Sequence, residues 1–163
     1  MMLVITLEAY HRNPKKRLVK QNKIHAIDPL LLHHTFNTGF SLERSRELQS
    51  FGTIYESFIC MEIHKTLFSS GIAFDSYYWR TQDGAEVDLI IEYRGKAIPF
   101  EIKSTTNLSR RDASGLVSFL SDNPHIKQGY IVYPGREIAE ISPNIIAVPD
   151  WWVLGCYGEI DVG

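Results

Sequence analysis

Hydrophobic and polar positions change period several times along this chain, and the changes mark its elements. From about Leu42 to Phe68 the apolar residues Phe51, Ile54, Tyr55, Phe58, Cys60, Met61, Ile63 and Leu67 recur at helical spacing, which predicts a long amphipathic helix. Gly52 lowers propensity inside it and marks a kink or junction, and Ser70-Gly71 ends it. The period then shortens to two. Ala73–Arg80, Ala85–Tyr93 and Lys96–Ser104 read as three strands of an antiparallel meander, turned at Gln82-Asp83-Gly84 and at Arg94-Gly95. A helix capped by Asn107 or Ser109 follows, burying Ala113, Leu116, Phe119 and Leu120, and Asn123-Pro124 stops it. Gly129–Tyr133 is then a short apolar strand, expected beside Ile98–Ile102 in parallel after this helical crossover. Ile145–Val148 predicts a further strand, and Trp151–Leu154 a buried segment at the sheet edge, with Trp151 and Trp152 divided between core and a surface or interface. Ahead of the long helix, residues 2–7 suggest a short strand, and Pro29 after Asp28 opens a short helix through His34. Helix, meander, crossover helix and parallel strand make an α/β domain with a mixed β-sheet flanked by helices.

Length and composition change this picture little. With 163 residues, 44% hydrophobic and 22% charged, the chain suits one domain with a proper core. A formal net charge of −2 argues against a surface coated in positive potential, though a pocket can still be locally basic. Six Lys or Arg and no acid lie between His11 and Lys23, so residues 1–24 are read as a basic lead-in or linker remnant, exposed over 12–24, before a domain at 25–163. Cys60 and Cys156 lack metal-ligand spacing, and no signal peptide or bilayer-length apolar run is present. A reduced, cytoplasmic protein with no membrane partner is expected.

The chemistry concentrates in the second hairpin. Turning at Arg94-Gly95, the register opposes Asp88 to Glu101, and opposed residues share a face, as does Lys103 two positions on. Opposed carboxylates repel, so packing alone gives little reason for them, whereas a divalent cation would make use of both. Asp88, Glu101 and the Ile102 carbonyl are oxygen donors suited to Mg²⁺ or Mn²⁺, with Lys103 placed to orient water or neutralise charge on a phosphate. A third carboxylate is expected from the long helix: Glu56 is preferred, Glu62 the alternative. Glu86, opposite Lys103, is a fourth acid or that lysine's ion-pair partner. Arg80, Arg110 and Arg111 are candidate phosphate contacts; a solvated charged face or a buried structural network is the plain alternative for the hairpin residues, and solvated charge for Arg110 and Arg111.

These residues also carry a resemblance. The stretches 52-GTIYESFICMEI-63, 78-YWRTQDGAEVDLII-91 and 96-KAIPFEIKST-105, with Gly115-Leu116 after them, resemble DUF4143. That domain is found at the C-terminus of a family of bacterial and archaeal AAA-type ATPases. The similarity runs from about Pro14 to Leu154 and implies a restriction-endonuclease-like, PD-(D/E)xK fold. By that resemblance Glu56, Asp88, Glu101 and Lys103 are the catalytic set, although Val87 stands where the signature has proline. It implies a Mg²⁺-dependent nuclease cutting DNA by water attack, or a docking or regulatory module of an ATPase that keeps the nuclease fold. No Walker-type loop occurs in the chain, so ATP hydrolysis is not expected of these residues.

Overall fold

A computed structural model describes residues 4–10, 22–26 and 50–155. The short helix expected at 29–34, the basic run up to residue 21, the part of the long helix before Ser50, and Cys156 lie outside the described residues. In chain order the elements are β1 (Val4–Ala9), β2 (Lys23–Ala26), α1 (Ser50–Ser69), β3 (Asp75–Arg80), β4 (Glu86–Tyr93) and β5 (Lys96–Ile102). A 3₁₀ turn at Arg110–Ala113 then leads into α2 (Ser114–Asp122), followed by β6 (Gly129–Tyr133), β7 (Ala139–Ser142), β8 (Ile145–Pro149) and α3 (Asp150–Val153). The strands form one eight-stranded sheet in the order β2-β1-β3-β4-β5-β6-β8-β7. β1 runs parallel to β3, β5 to β6 and β6 to β8, and the other neighbours are antiparallel. The α/β architecture with a mixed sheet between helices is therefore as read from the sequence, and it is consistent with a restriction-endonuclease-like fold.

Two apolar cores cover the two faces of the sheet. On one, Ile59, Cys60, Met61 and Ile63 of α1 pack on Ile5, Leu7, Ala9, Leu89, Ile91 and Ile102. On the other, Leu116 and Phe119 of α2 pack on Trp79, Val87, Ile90, Ile131 and Ala147. Strand β4 runs through the middle of the sheet, and Val87 to Ile91 are buried without interruption, as a strand covered on both faces requires. The β4–β5 hairpin turns through Arg94 (φ 51°) and Gly95 (φ 72°), both left-handed, as a two-residue turn needs. Its register runs from Tyr93↔Lys96 to Leu89↔Phe100, matching the sequence reading.

Three features differ from expectation. Strands β1 and β2 pair with each other and join the sheet, so the short strand expected at 2–7 is present as Val4–Ala9, and residues 4–9 and 23–24 belong to the fold itself and not to a lead-in or linker remnant. The edge strand β7 is too short and polar to carry a signal of its own. Trp151 and Trp152, expected to divide between core and surface, both lie in the short helix α3 at 43% and 38% exposed. The apolar contact there comes from Val153 and Leu154. Among the described residues no helix is long and apolar enough to cross a membrane.

Candidate functional site

Two ion clusters meet where β4 and β5 leave their hairpin. The first is centred on a residue that sequence reasoning placed outside the site. Lys23 stands opposite Leu7 in the β1–β2 register, so its side chain is directed to the α1 face, where Leu7 is fully buried. Its Nζ lies 2.6 Å from Glu56 Oε1, 2.7 Å from Glu86 Oε1 and 3.1 Å from Asp88 Oδ1. Helix α1 supplies Glu56 from the margin of its apolar face, and Arg80 Nε approaches the other Glu86 oxygen at 3.7 Å. Glu62, the alternative helix acid, is instead paired with Lys65 along the helix surface.

Asp88 owes its position to a bulge. Against β3 the register slips by one residue between Tyr77 and Trp79, so β4 carries an extra residue there. The slip breaks alternation: Val87 faces the α2 core while Leu89 faces the α1 core. Asp88, between them, turns one oxygen to Lys23, and its Oδ2 accepts the Ile102 N–H at 2.8 Å. That bond holds the carboxylate across the top of β5. Ile102 thus enters the site through its N–H.

The second cluster is Glu101 with Lys103. Phe100 and Ile102 face the α1 core, so alternation turns Glu101 and Lys103 towards α2. Lys103 Nζ donates to Glu101 Oε1 at 2.6 Å, while the Lys103 N–H donates to the Val132 carbonyl and fixes the strand end. Glu101 is held under Gly115 of α2, where a Cβ would fall 3.5 Å from Glu101 Oε2 and 1.9 Å from the Glu86 carbonyl. Only glycine permits this approach. The side chain of Glu101 is nine-tenths buried, and its Oε2 has no hydrogen-bond partner among the described residues.

The expected single face is therefore corrected. The β4–β5 register ends at Leu89↔Phe100, just short of Asp88 and Glu101; the bulge sends Asp88 to the Lys23 side while Glu101 stays on the Gly115 side, and each acid has its own ammonium. Glu86 pairs with Lys23 and Arg80, and Lys103 takes Glu101 as its partner. Among the described residues no three Asp, Glu, His or Cys side chains stand close enough to hold a metal ion as they are. The two clusters still act on each other. Burial, then the negative charge of Asp88, raise Glu101 to about 8 against the pull of Lys103. Burial and Asp88 likewise raise Glu56 to about 7 against Lys23. Burial would lower Lys23, but Asp88 and Glu56 outweigh it and hold its pKa well above the ordinary value. His25, buried beside Glu56 with its Nδ1 3.1 Å from Ser57 Oγ, is lowered to about 4 by burial and by Lys23, and is neutral at pH 7.

The candidate phosphate contacts divide. Arg80 borders the first cluster through Glu86. Arg110 and Arg111 are exposed on the 3₁₀ turn leading to Gly115, and no ion pair joins them to the acids among the described residues. Lys23 and His25 are the members of the site that sequence reasoning missed. Lys23 is hidden at the end of a basic run, and only pairing of β2 with β1 reveals where it points.

Residues 51–152 match the family described as "Domain of unknown function (DUF4143)", and the chain belongs to that family. It is 34% identical to "Uncharacterized protein Rv2008c" of Mycobacterium tuberculosis, over 98% of this chain and 34% of that protein. Identity and coverage are the same for "Uncharacterized protein Mb2031c" of Mycobacterium bovis. The chain thus spans about a third of the length of the curated relatives it matches. No solved structure matches it.

Proposed function

We propose that this domain is a Mg²⁺- or Mn²⁺-dependent phosphodiesterase that cleaves DNA by water attack. One observation carries the reading: Glu101 keeps an oxygen unpartnered among the described residues, in a buried position, while Asp88 adds negative charge near it. Burying an unpaired carboxylate oxygen costs free energy and does nothing for packing. A divalent cation relieves both the desolvation and the repulsion. The donor chemistry suits such an ion, since Glu56, Glu86, Asp88 and Glu101 are all hard oxygen donors. When bound, the ion supplies polarisation of phosphate and water.

The remaining work falls to the chain. Asp88, locked on the Ile102 N–H, is the anchoring ligand, with Glu101, the Ile102 carbonyl and Glu56 as further donors. Lys103, fixed at its backbone by Val132, steers the attacking water and offsets charge gathering on the phosphate. Arg80, Arg110 and Arg111 border the region as candidate contacts for the phosphate backbone. The test is Mg²⁺-dependent cleavage of labelled duplex DNA by wild type and Asp88→Ala. Loss of cleavage with an unchanged circular-dichroism spectrum is expected, and equal cleavage by both proteins contradicts the reading.

A second reading is a docking or regulatory module of an AAA-type ATPase, possessing the fold without the chemistry. The exposed Trp151 and Trp152 favour it, as does an acid cluster already neutralised by lysine. That reading expects no cleavage, and partner binding lost in Trp151→Ala yet kept in Asp88→Ala.

A further inference from the structure

Away from the carboxylates, the turn end of the β4–β5 hairpin holds a second concave site. Strand β5 begins at Lys96, but its parallel ladder with β6 runs only from Phe100↔Tyr130 to Ile102↔Val132. Residues 96–99 therefore overhang the start of β6, and the loop from α2 to β6 passes beside them. A cavity of about 590 Å³ lies between overhang and loop. That is within the roughly 300–1,000 Å³ usual for small-molecule sites. Its charge is one-sided: Lys96, His125 and Lys127 line it, and no carboxylate does. Among the described residues Lys23, Lys65 and Lys103 are each paired with a carboxylate, whereas Lys96 and Lys127 are joined to none. Both ammoniums without a carboxylate thus face one cavity, in a chain of net charge −2.

The remaining walls add neutral donors and an apolar surface. Tyr93↔Lys96 closes the two-residue turn, so ladder alternation points the Ala97 N–H away from β4, on the side where β6 has not begun. Tyr130 O–H donates to Gln128 Oε1 at 2.9 Å, which leaves the Gln128 amide N–H groups turned away from the tyrosine. Lys127 Nζ is steadied by the Pro124 carbonyl 2.7 Å away and keeps further N–H bonds to give. Ile98, Ile126 and the Tyr130 ring, stacked on Phe100, supply the apolar part. Ammoniums and N–H donors beside an apolar, aromatic wall suit a phosphate ester that carries a planar body. We propose that this cavity binds a small phosphorylated molecule with the size and chemistry of a mononucleotide. It lies roughly 17 Å along β5 from Glu101, so it is separate from the acid clusters.

The test is calorimetric titration of the 163-residue chain with adenosine, guanosine, cytidine and uridine 5′-monophosphates in turn, in metal-free, phosphate-free buffer. At least one binds, and the double variant Lys96→Gln, Lys127→Gln weakens it by about tenfold or more. Both lysines are exposed, so the variant keeps its fold, which circular dichroism checks. The parent nucleoside and inorganic phosphate, each carrying part of the recognised chemistry, bind about tenfold more weakly than the nucleotide or worse. No binding by any of the four, equal affinity in the folded double variant, or inorganic phosphate binding as tightly as the nucleotide overturns the proposal. Amide ¹H–¹⁵N shifts locate the ligand independently. Ala97 and Gln128 move on nucleotide addition, and changes confined to residues around Asp88 overturn the assignment. A failure here leaves the divalent-cation reading standing, because that reading concerns the other end of the hairpin.

Discussion

Asp88 divides its two oxygens between a side chain and the backbone, the Lys23 ammonium and the Ile102 N–H. The backbone bond makes it an anchor, and its charge is what Glu101 feels most after burial. Neutralising Asp88 should therefore act at a distance. In Asp88→Asn the Glu101 pKa is expected to fall from about 8 towards the ordinary value, read by carboxyl ¹³C chemical shifts across a pH titration. An unmoved Glu101 would mean that burial alone raises it and that the two carboxylates do not share a field. The same residue shows where alternation misleads: with strict period two, Asp88 belongs on the face of Ile90, and one inserted residue in β4 turns it away.

At the scale of elements, the site is assembled by close approach of α2 to the end of β4. Gly115 sits against the Glu86 carbonyl, where an added methyl would fall at 1.9 Å from backbone that cannot rotate aside. Gly115→Ala should force α2 away and cost about 1–3 kcal/mol, measured by urea unfolding, with the Glu86–Lys23 contact disturbed in the same variant. A neutral substitution would show that α2 can shift freely and does not position the acids. Much of this element-level structure was legible in the chain. The meander, its Arg94-Gly95 turn and the β5–β6 parallel pairing follow from local periodicity and turn chemistry, which act over a few residues. The β4 bulge and the Lys23 position were not legible, because both are set by pairing between strands distant in sequence. Glu56 was identified because a carboxylate at the edge of an apolar helix face needs a reason. Lys23 in a basic run needs none. For Trp151 and Trp152 the chain leaves core and surface open, because apolar side chains immediately after a buried strand suggest burial; the α3 turn leaves Val153 and Leu154 to make that contact.

For the whole molecule, the buried acids make stability depend on pH with a definite sign. Glu101 and Glu56 are raised from 4.5 to about 8 and about 7, so between pH 4.5 and those values the folded chain holds protons that the unfolded chain has released. Their contribution is complete below pH 4.5 and is lost as pH rises through 7 and 8. His25 works the other way: lowered to about 4, it contributes above its ordinary 6.5 and loses that contribution as pH falls through 4. The urea midpoint is therefore expected to decline between about pH 6.5 and 8.5, and Glu101→Gln should flatten the decline. A wild-type midpoint that rises over this range would contradict the assigned directions. Saturating Mn²⁺ should restore part of the lost stability, since binding to the folded state alone stabilises it by mass action.

These effects come from two neighbouring clusters, carboxylates of α1 and β4 around Lys23 and Glu101 of β5 with Lys103. The most direct measurement is a crystal structure of the chain soaked in Mn²⁺, with anomalous scattering used to locate the ion. The account predicts one strong peak bonded to Asp88, with Glu101 drawn towards it. A map without a peak at Asp88 would contradict it.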